Sequence, residues 1–249
     1  MKEAARMNGK IAVCFDVNQT LVQQGLSFEQ SFRGVWQDYT ARWLQEQTPS
    51  EEALWAEYIV RWQQRKKART TFKQLDELQQ QCLREALLQL GVPVSAGLAR
   101  SFMEELRRQQ VGAKTLMPRT PEVLEKLSQS HRLAIISNSP RSEVLLMLRR
   151  FSLARYFPEE RIFTAARPAE KKPAPALFRQ ALQALGASPR QAVMVGNSWK
   201  HDVCGAVKAG MDAVWLNAGV QSRTIAEQRL SKRRVVLIRE LGQLSELFP

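Results

Sequence analysis

The chain has 249 residues, 44% apolar and 24% charged, a balance that supports a sizeable core and excludes intrinsic disorder. Lys and Arg outnumber Asp and Glu by 37 to 24, a formal net charge of +13, which favours anionic ligands without naming one. No run of about 18 apolar residues exists, so no membrane-spanning helix is expected. No apolar stretch of about 7–15 residues follows the basic N-terminus, so no signal peptide is expected either. Cys14, Cys82 and Cys204 are widely spaced and form no C-x-x-C pair, which reads as buried, reduced thiols. His131 and His201 cannot build a His-rich metal centre. The chain reads as cytoplasmic.

The first element is Ile11-Ala-Val-Cys-Phe-Asp16, a continuous apolar run ending in a carboxylate, as in a parallel strand buried on both faces. Asp16 then falls at the carboxyl end of the strand, where open α/β sheets place their ligands. From about Phe28 to Gln110 the composition turns to Gln, Arg, Leu, Glu and Trp, and an all-helical insert of about four helices is predicted. Trp36 and Trp43 are seven residues apart, as are Trp55 and Trp62, so each pair returns to one helical face and reads as core. Ser50 is placed as an N-cap, and Gly91-Val-Pro93 separates two further helices.

After Pro118 strands and helices alternate. Thr120 is expected to cap a helix with Pro121 at its first position. Leu133–Ser137 is a buried strand, followed by a helix at 141–150 and a short strand near Arg161–Thr164. A helix from about Pro175 to Leu185, the strand Ala192–Gly196, a helix at 200–210 and the strand Ala213–Leu216 continue the rhythm. A last β-like run, Val235–Ile238, precedes a C-terminal helix. The fold class is α/β: a Rossmann-like, doubly wound parallel sheet as core, residues 1–22 and 114–249, with the helical insert at 23–113.

Four short segments follow the apolar strands and meet at one edge of such a sheet. They are Asp16-Val-Asn18-Gln-Thr20, Ser137-Asn138-Ser139, Lys171-Lys172-Pro173, and Gly196-Asn197-Ser198 with Asp202. A carboxylate can attack phosphorus or carbon and form a covalent intermediate. A hydroxyl and an ammonium can offset the charge of a transferring phosphoryl group, and acidic loops can hold Mg²⁺. Singly each segment has a plainer reading: a turn former for Asp16, a helix cap for Ser137, a solvated loop for Lys171-Lys172-Pro173. Their order on alternating strands is what points to a site.

These residues resemble the four motifs of the haloacid dehalogenase superfamily: Phe15-Asp-Val-Asn-Gln-Thr-Leu21, Ile136-Ser137-Asn138-Ser139, Lys172-Pro-Ala-Pro175-Ala-Leu-Phe178, and Gly196-Asn-Ser-Trp-Lys-His-Asp202 continuing to Met211. The helical insert stands where that family's cap does. The resemblance implies Asp16 as nucleophile, with Ser137 and Lys172 holding the phosphoryl group. It places Asn18 in the catalytic group, and Thr20 and Asn138 beside the substrate. It implies Mg²⁺ on Asp16, Asp202, Asn197 and the main-chain carbonyl of Asn18. The expected partner is a small anionic, phosphorylated substrate; neither a membrane nor specific nucleic-acid recognition is expected.

Two positions depart from the motifs. The phosphatases of the family carry a second Asp where this chain has Asn18, and an amide neither protonates a leaving group nor activates water. Asn197 likewise keeps an oxygen donor and loses a charge. Three readings stay open: a phosphatase with weakened acid–base chemistry, suited to good leaving groups; a 2-haloacid dehalogenase-type carbon–halogen hydrolase, whose halide leaves unprotonated; and a nearly inactive relative that binds an anionic ligand or partner. Asn197 and Trp199 resemble the dehalogenases' Asn-x-Trp-Asp, but Lys200 and His201 stand between Trp199 and Asp202. The basic run Arg61 to Arg69 reads either as a solvated helix face or as a wall that selects an anionic substrate, and His201 as a surface residue, or as one that tunes the site beside Asp202.

Overall fold

The computed structural model describes residues 6–41, 48–65, 72–219 and 224–248. It divides into two compact units, Met1–Gln23 with Thr115–Pro249, and Gln24–Lys114.

The first unit is α/β. Its strands are β1 (Ala12–Phe15), β2 (Val22–Gln23), β3 (Thr115–Leu116), β4 (Arg132–Ser137), β5 (Ile162–Thr164), β6 (Ala192–Gly196), β7 (Asp212–Leu216), β8 (Ala226–Leu230) and β9 (Arg233–Ile238). Seven of them form one sheet in the order β5-β4-β1-β6-β7-β9-β8, and β2 and β3 pair as a separate antiparallel ribbon. Every pairing in the large sheet is parallel except β8 with β9. β1 sits centrally, and all four of its residues are buried because helices cover both faces. Ala12, Cys14, Ala134, Ile136 and Met194 face one side, packed with Leu177, Phe178 and Ala181. The parallel, doubly wound core predicted from the apolar runs is the one observed.

The second unit is helical: α1 (Phe28–Thr40), α2 (Glu51–Arg65), α3 (Phe72–Gln89) and α4 (Ala96–Gly112). Its core gathers Phe32, Val35, Trp36, Leu54, Tyr58 and Phe102, with Trp55 and Trp62 partly buried against them. Those three tryptophans are core, as their spacing predicts; Trp43 lies outside the described residues. Ser50 Oγ accepts from Ala53 N at 3.2 Å, the expected cap. Arg61 pairs with Glu57 and Arg65 with Glu85, so this part of the basic run is a solvated, ion-paired face. Lys66, Lys67 and Arg69 lie outside the described residues. No described helix is long and apolar enough to cross a membrane.

The helices of the α/β unit are α5 (Thr120–Ser128), α6 (Arg141–Arg150), α7 (Ala176–Ala184), α8 (Cys204–Lys208) and α9 (Leu244–Leu247). Two expectations fail here. Thr120 is not a cap: it is the first residue of α5, after Arg119 in a left-handed conformation (φ 63°). Being fully buried, it donates its hydroxyl to the carbonyls of Met117 (2.8 Å) and Leu21 (3.2 Å) instead of accepting from the helix. The helix expected at 200–210 is a π-turn, Trp199–Val203, running into the short α8. Val203 N bonds Ser198 O at 3.2 Å, which swings Asp202 toward the sheet. The cysteines are unpaired as read, with Cys14 and Cys82 buried and Cys204 half-buried. Burial pushes the Cys14 thiol up to about 12.

Candidate active site

Asp16 directly follows β1, Ser137 ends β4 and Asn197 follows β6. Those strands are adjacent and parallel, so their carboxyl ends bring the three residues side by side. Lys172 arrives on the loop between β5 and α7. Asn138 clamps its main chain, accepting from Lys172 N at 2.8 Å and donating to Lys172 O at 3.0 Å. Asn138, expected beside the substrate, lines the cleft but uses its amide to position Lys172.

The Lys172 ammonium is 3% exposed and donates to Asp202 Oδ1 (2.6 Å), Asp16 Oδ1 (2.7 Å) and Ile136 O (2.7 Å). An ammonium has three N–H donors, and each is matched by one acceptor. Burial works to lower the Lys172 pKa, but the two carboxylates outweigh it and the net shift is upward. Burial also raises Asp16, reinforced by the Asp202 charge and opposed by Lys172. The ammonium is therefore the group that lets two buried carboxylates stand together.

Asp202 is held from the other side by Ser198 N, which donates to its Oδ2 at 2.9 Å. Its carboxyl lies so close to Gly196 that a Cβ there would come within 2.4 Å. Gly196→Ala is accordingly expected to cost about 1–3 kcal/mol through displacement of that carboxylate; chemical denaturation checks it, and an unchanged midpoint would refute the contact. Gly205 plays a similar part where α8 crosses Phe178, 2.7 Å from a built Cβ.

The loop after Asp16 is a tight turn in which Val17 O accepts from Leu21 N (2.9 Å) and Val22 N (3.0 Å). Gln19 takes a left-handed conformation (φ 57°). Asn18 Nδ2 donates to Ser139 Oγ at 2.8 Å, and Asn197 Nδ2 lies 3.4 Å from Gln19 Oε1. Asp16, Asn18, Ser137, Asn138, Lys172, Asn197 and Asp202 all line one cleft of about 280 Å³, room for a phosphoryl group and a small leaving group. Thr20 does not. It is fully buried and its hydroxyl has no hydrogen-bond partner among the described residues, so it packs the turn.

Gln19, Ser139 and Ser198, which stand inside the four segments without an assigned role, also face the cleft, as does His201. Only their adjacency to motif residues signalled them. His201 is exposed, as read, yet lines the wall with Nδ1 3.1 Å from Ser198 Oγ. Burial first, then the Lys172 charge, lowers its pKa.

A family model, haloacid dehalogenase-like hydrolase, matches residues 12–210. A glyceraldehyde 3-phosphate phosphatase of Methanothermobacter thermautotrophicus is 29% identical over 129 residues, 52% of this chain and 56% of that one. A phosphoserine phosphatase of Thermus thermophilus is 35% identical over 144 residues, 55% of this chain and 54% of that one. The chain thus spans about half the length of the curated relatives it matches. The crystal structure of a 2-haloacid dehalogenase from Pseudomonas syringae superposes with a TM-score of 0.64 at 25% identity, covering 96% of this chain and 97% of the other. A match running from the first residue of β1 to beyond α8, over the loops that build the cleft, places this chain in the haloacid dehalogenase-like hydrolase family.

Proposed function

We propose that the chain is a phosphatase of small phosphorylated metabolites that works through an aspartyl-phosphate on Asp16. The observation that carries this reading is the buried Asp16–Lys172–Asp202 cluster at the mouth of the parallel sheet. Asp16 attacks phosphorus as a carboxylate, and Lys172 sustains that charge state in a buried position. Lys172 acts on the phosphoryl oxygens through its field, since its three N–H groups bond within the protein. Ser137, 1% exposed on the cleft wall, offers its hydroxyl to the same oxygens. Matched relatives named as phosphatases support the reading.

No cluster of three or more His, Cys, Asp or Glu occurs among the described residues. A metal here relies on two carboxylates, Asp16 and Asp202, the Asn197 amide and the Asn18 carbonyl. These are the hard oxygen donors that suit Mg²⁺, with one ammonium offsetting half the carboxylate charge. When bound, Mg²⁺ supplies further positive charge to the phosphoryl oxygens. We assign residues 23–113 the role of a cap, from their place in the chain between the first two site loops. We assign the chain to the cytoplasm on its unpaired thiols.

The test is release of p-nitrophenol from its phosphate, with Mg²⁺ and with chelator. Turnover that rises with Mg²⁺, after a burst close to one equivalent of product, is expected. No turnover, alongside halide release from 2-haloacids, would transfer the chain to carbon–halogen hydrolysis. Silence in both assays would leave a binding role.

A further inference from the structure

We infer that the substrate's leaving group departs as a stable anion, without taking a proton from the protein, so that the substrate class is acyl phosphates. This rests on the phosphatase reading. Attack by Asp16 on phosphorus breaks the bond to the bridging oxygen, and the electron pair leaves with that oxygen. For an alkyl phosphate it leaves toward an alkoxide, whose conjugate acid resembles water with a pKa of about 16, so a proton must arrive as the bond breaks. For an acyl phosphate it leaves as a carboxylate, with a pKa of about 4, and no proton is needed. Water then cleaves the aspartyl-phosphate, returning the Asp16 carboxylate and releasing inorganic phosphate with the water's protons.

Among the described residues, the cleft is poor in acids. Lys172 directs all three N–H groups at Asp16, Asp202 and Ile136 O. Asp16 is the attacking group, and Asp202 is tied to Lys172 and Ser198 N. The residue facing the cleft two positions beyond the nucleophile is Asn18, an amide that donates to Ser139 Oγ at 2.8 Å and has no acidic proton to lend. Gln19, Asn138 and Asn197 are amides too, and Ser137, Ser139 and Ser198 are ordinary hydroxyls. His201 is exposed and its Nδ1 lies 3.1 Å from Ser198 Oγ.

The experiment compares kcat/KM for acetyl phosphate, a series of aryl phosphates and phosphoserine, in wild type and Asn18→Asp. Because kcat/KM stops at the first irreversible step, slow hydrolysis of the intermediate does not mask the leaving group. We expect wild type to favour acetyl phosphate over phosphoserine by at least about 10²-fold, with a steep fall along the aryl series, since a general acid is worth roughly 10²–10⁴-fold. Asn18→Asp installs a carboxyl that Ser139 can still bond. It should raise kcat/KM for phosphoserine relative to acetyl phosphate at least about tenfold. A flat aryl series in wild type, or an equal gain on both substrates, would overturn the inference and direct attention to His201. Absence of turnover on every phosphate, acetyl phosphate included, would remove the phosphatase reading itself.

Discussion

Asp16→Asn should abolish turnover, by at least about 10³-fold in kcat, while leaving a folded protein. The amide keeps the shape of the carboxylate and an oxygen for Lys172 Nζ, which bonds Asp16 Oδ1 at 2.7 Å in the parent chain. Asp202 still neutralises the ammonium, so the substitution leaves no unpaired charge in the core. What disappears is the proposed nucleophile. A 10³-fold loss corresponds to about 4 kcal/mol of barrier, and covalent catalysis has no substitute among the amides and hydroxyls around the cleft. Phosphate release and thermal melting on the same sample check both halves. Activity within tenfold of wild type would assign the attack to another group. A collapsed melting transition would make Asp16 a structural residue first.

Lys172→Met should be the most destabilising single change in the site. It removes the ammonium from a position 3% exposed and leaves two carboxylates facing each other without a cation. Breaking a buried ion pair by removing one partner costs about 3–5 kcal/mol. For a chain of this size that lowers Tm by roughly 2–4 °C per kcal/mol, hence about 10 °C. The loss has a pH signature of known sign. Without Lys172 the Asp16 carboxyl titrates above its unfolded value of about 3.9, because burial and the Asp202 charge both favour the neutral acid. Stability tied to a raised pKa is present at low pH and fades as pH rises through the folded value, so the deficit should be larger at pH 7.5 than at pH 5. Adding Asp202→Asn should restore part of the Tm and none of the activity. A single variant melting within about 2 °C of wild type at pH 7.5 would show that the cluster carries no net stabilising charge pairing.

The parts of this molecule written plainly in its sequence are those where burial dictates residue type. β1, β4 and β6 are buried on both faces, so each is an unbroken apolar run, and the residue after or at its end is automatically a cleft residue. Spacing alone therefore places Asp16, Ser137 and Asn197 together. β8 was not legible, because Ala226-Glu-Gln-Arg-Leu230 is an exposed edge strand that owes its conformation to pairing with β9 and not to its own composition. The π-turn at Trp199–Val203 was read as ordinary helix, since one extra residue in a turn leaves no mark on an apolar pattern. The burial of Thr20 was not legible for a related reason: a motif position says that a side chain matters, not whether it faces solvent or core. The clamp of Asn138 on Lys172 joins two segments distant in the chain, and pairings of that kind are visible only once both are folded.

The central position of β1 also dictates an order of assembly. Ala12 pairs with Arg132 on one side and with Ala192 on the other, so β1 leaves the ribosome before either of its partners is made. At roughly 5–20 residues per second, roughly 10–40 s separate its synthesis from that of β6. During that interval the helical unit Gln24–Lys114 can close its own local contacts, while Ile11–Phe15 remains an unpaired apolar segment. Nascent chains halted before β6 should thus be sticky through their first strand and bound by chaperones there. The residue we propose as the nucleophile is made first of all the cleft residues, and its surroundings are completed only when Asp202 emerges.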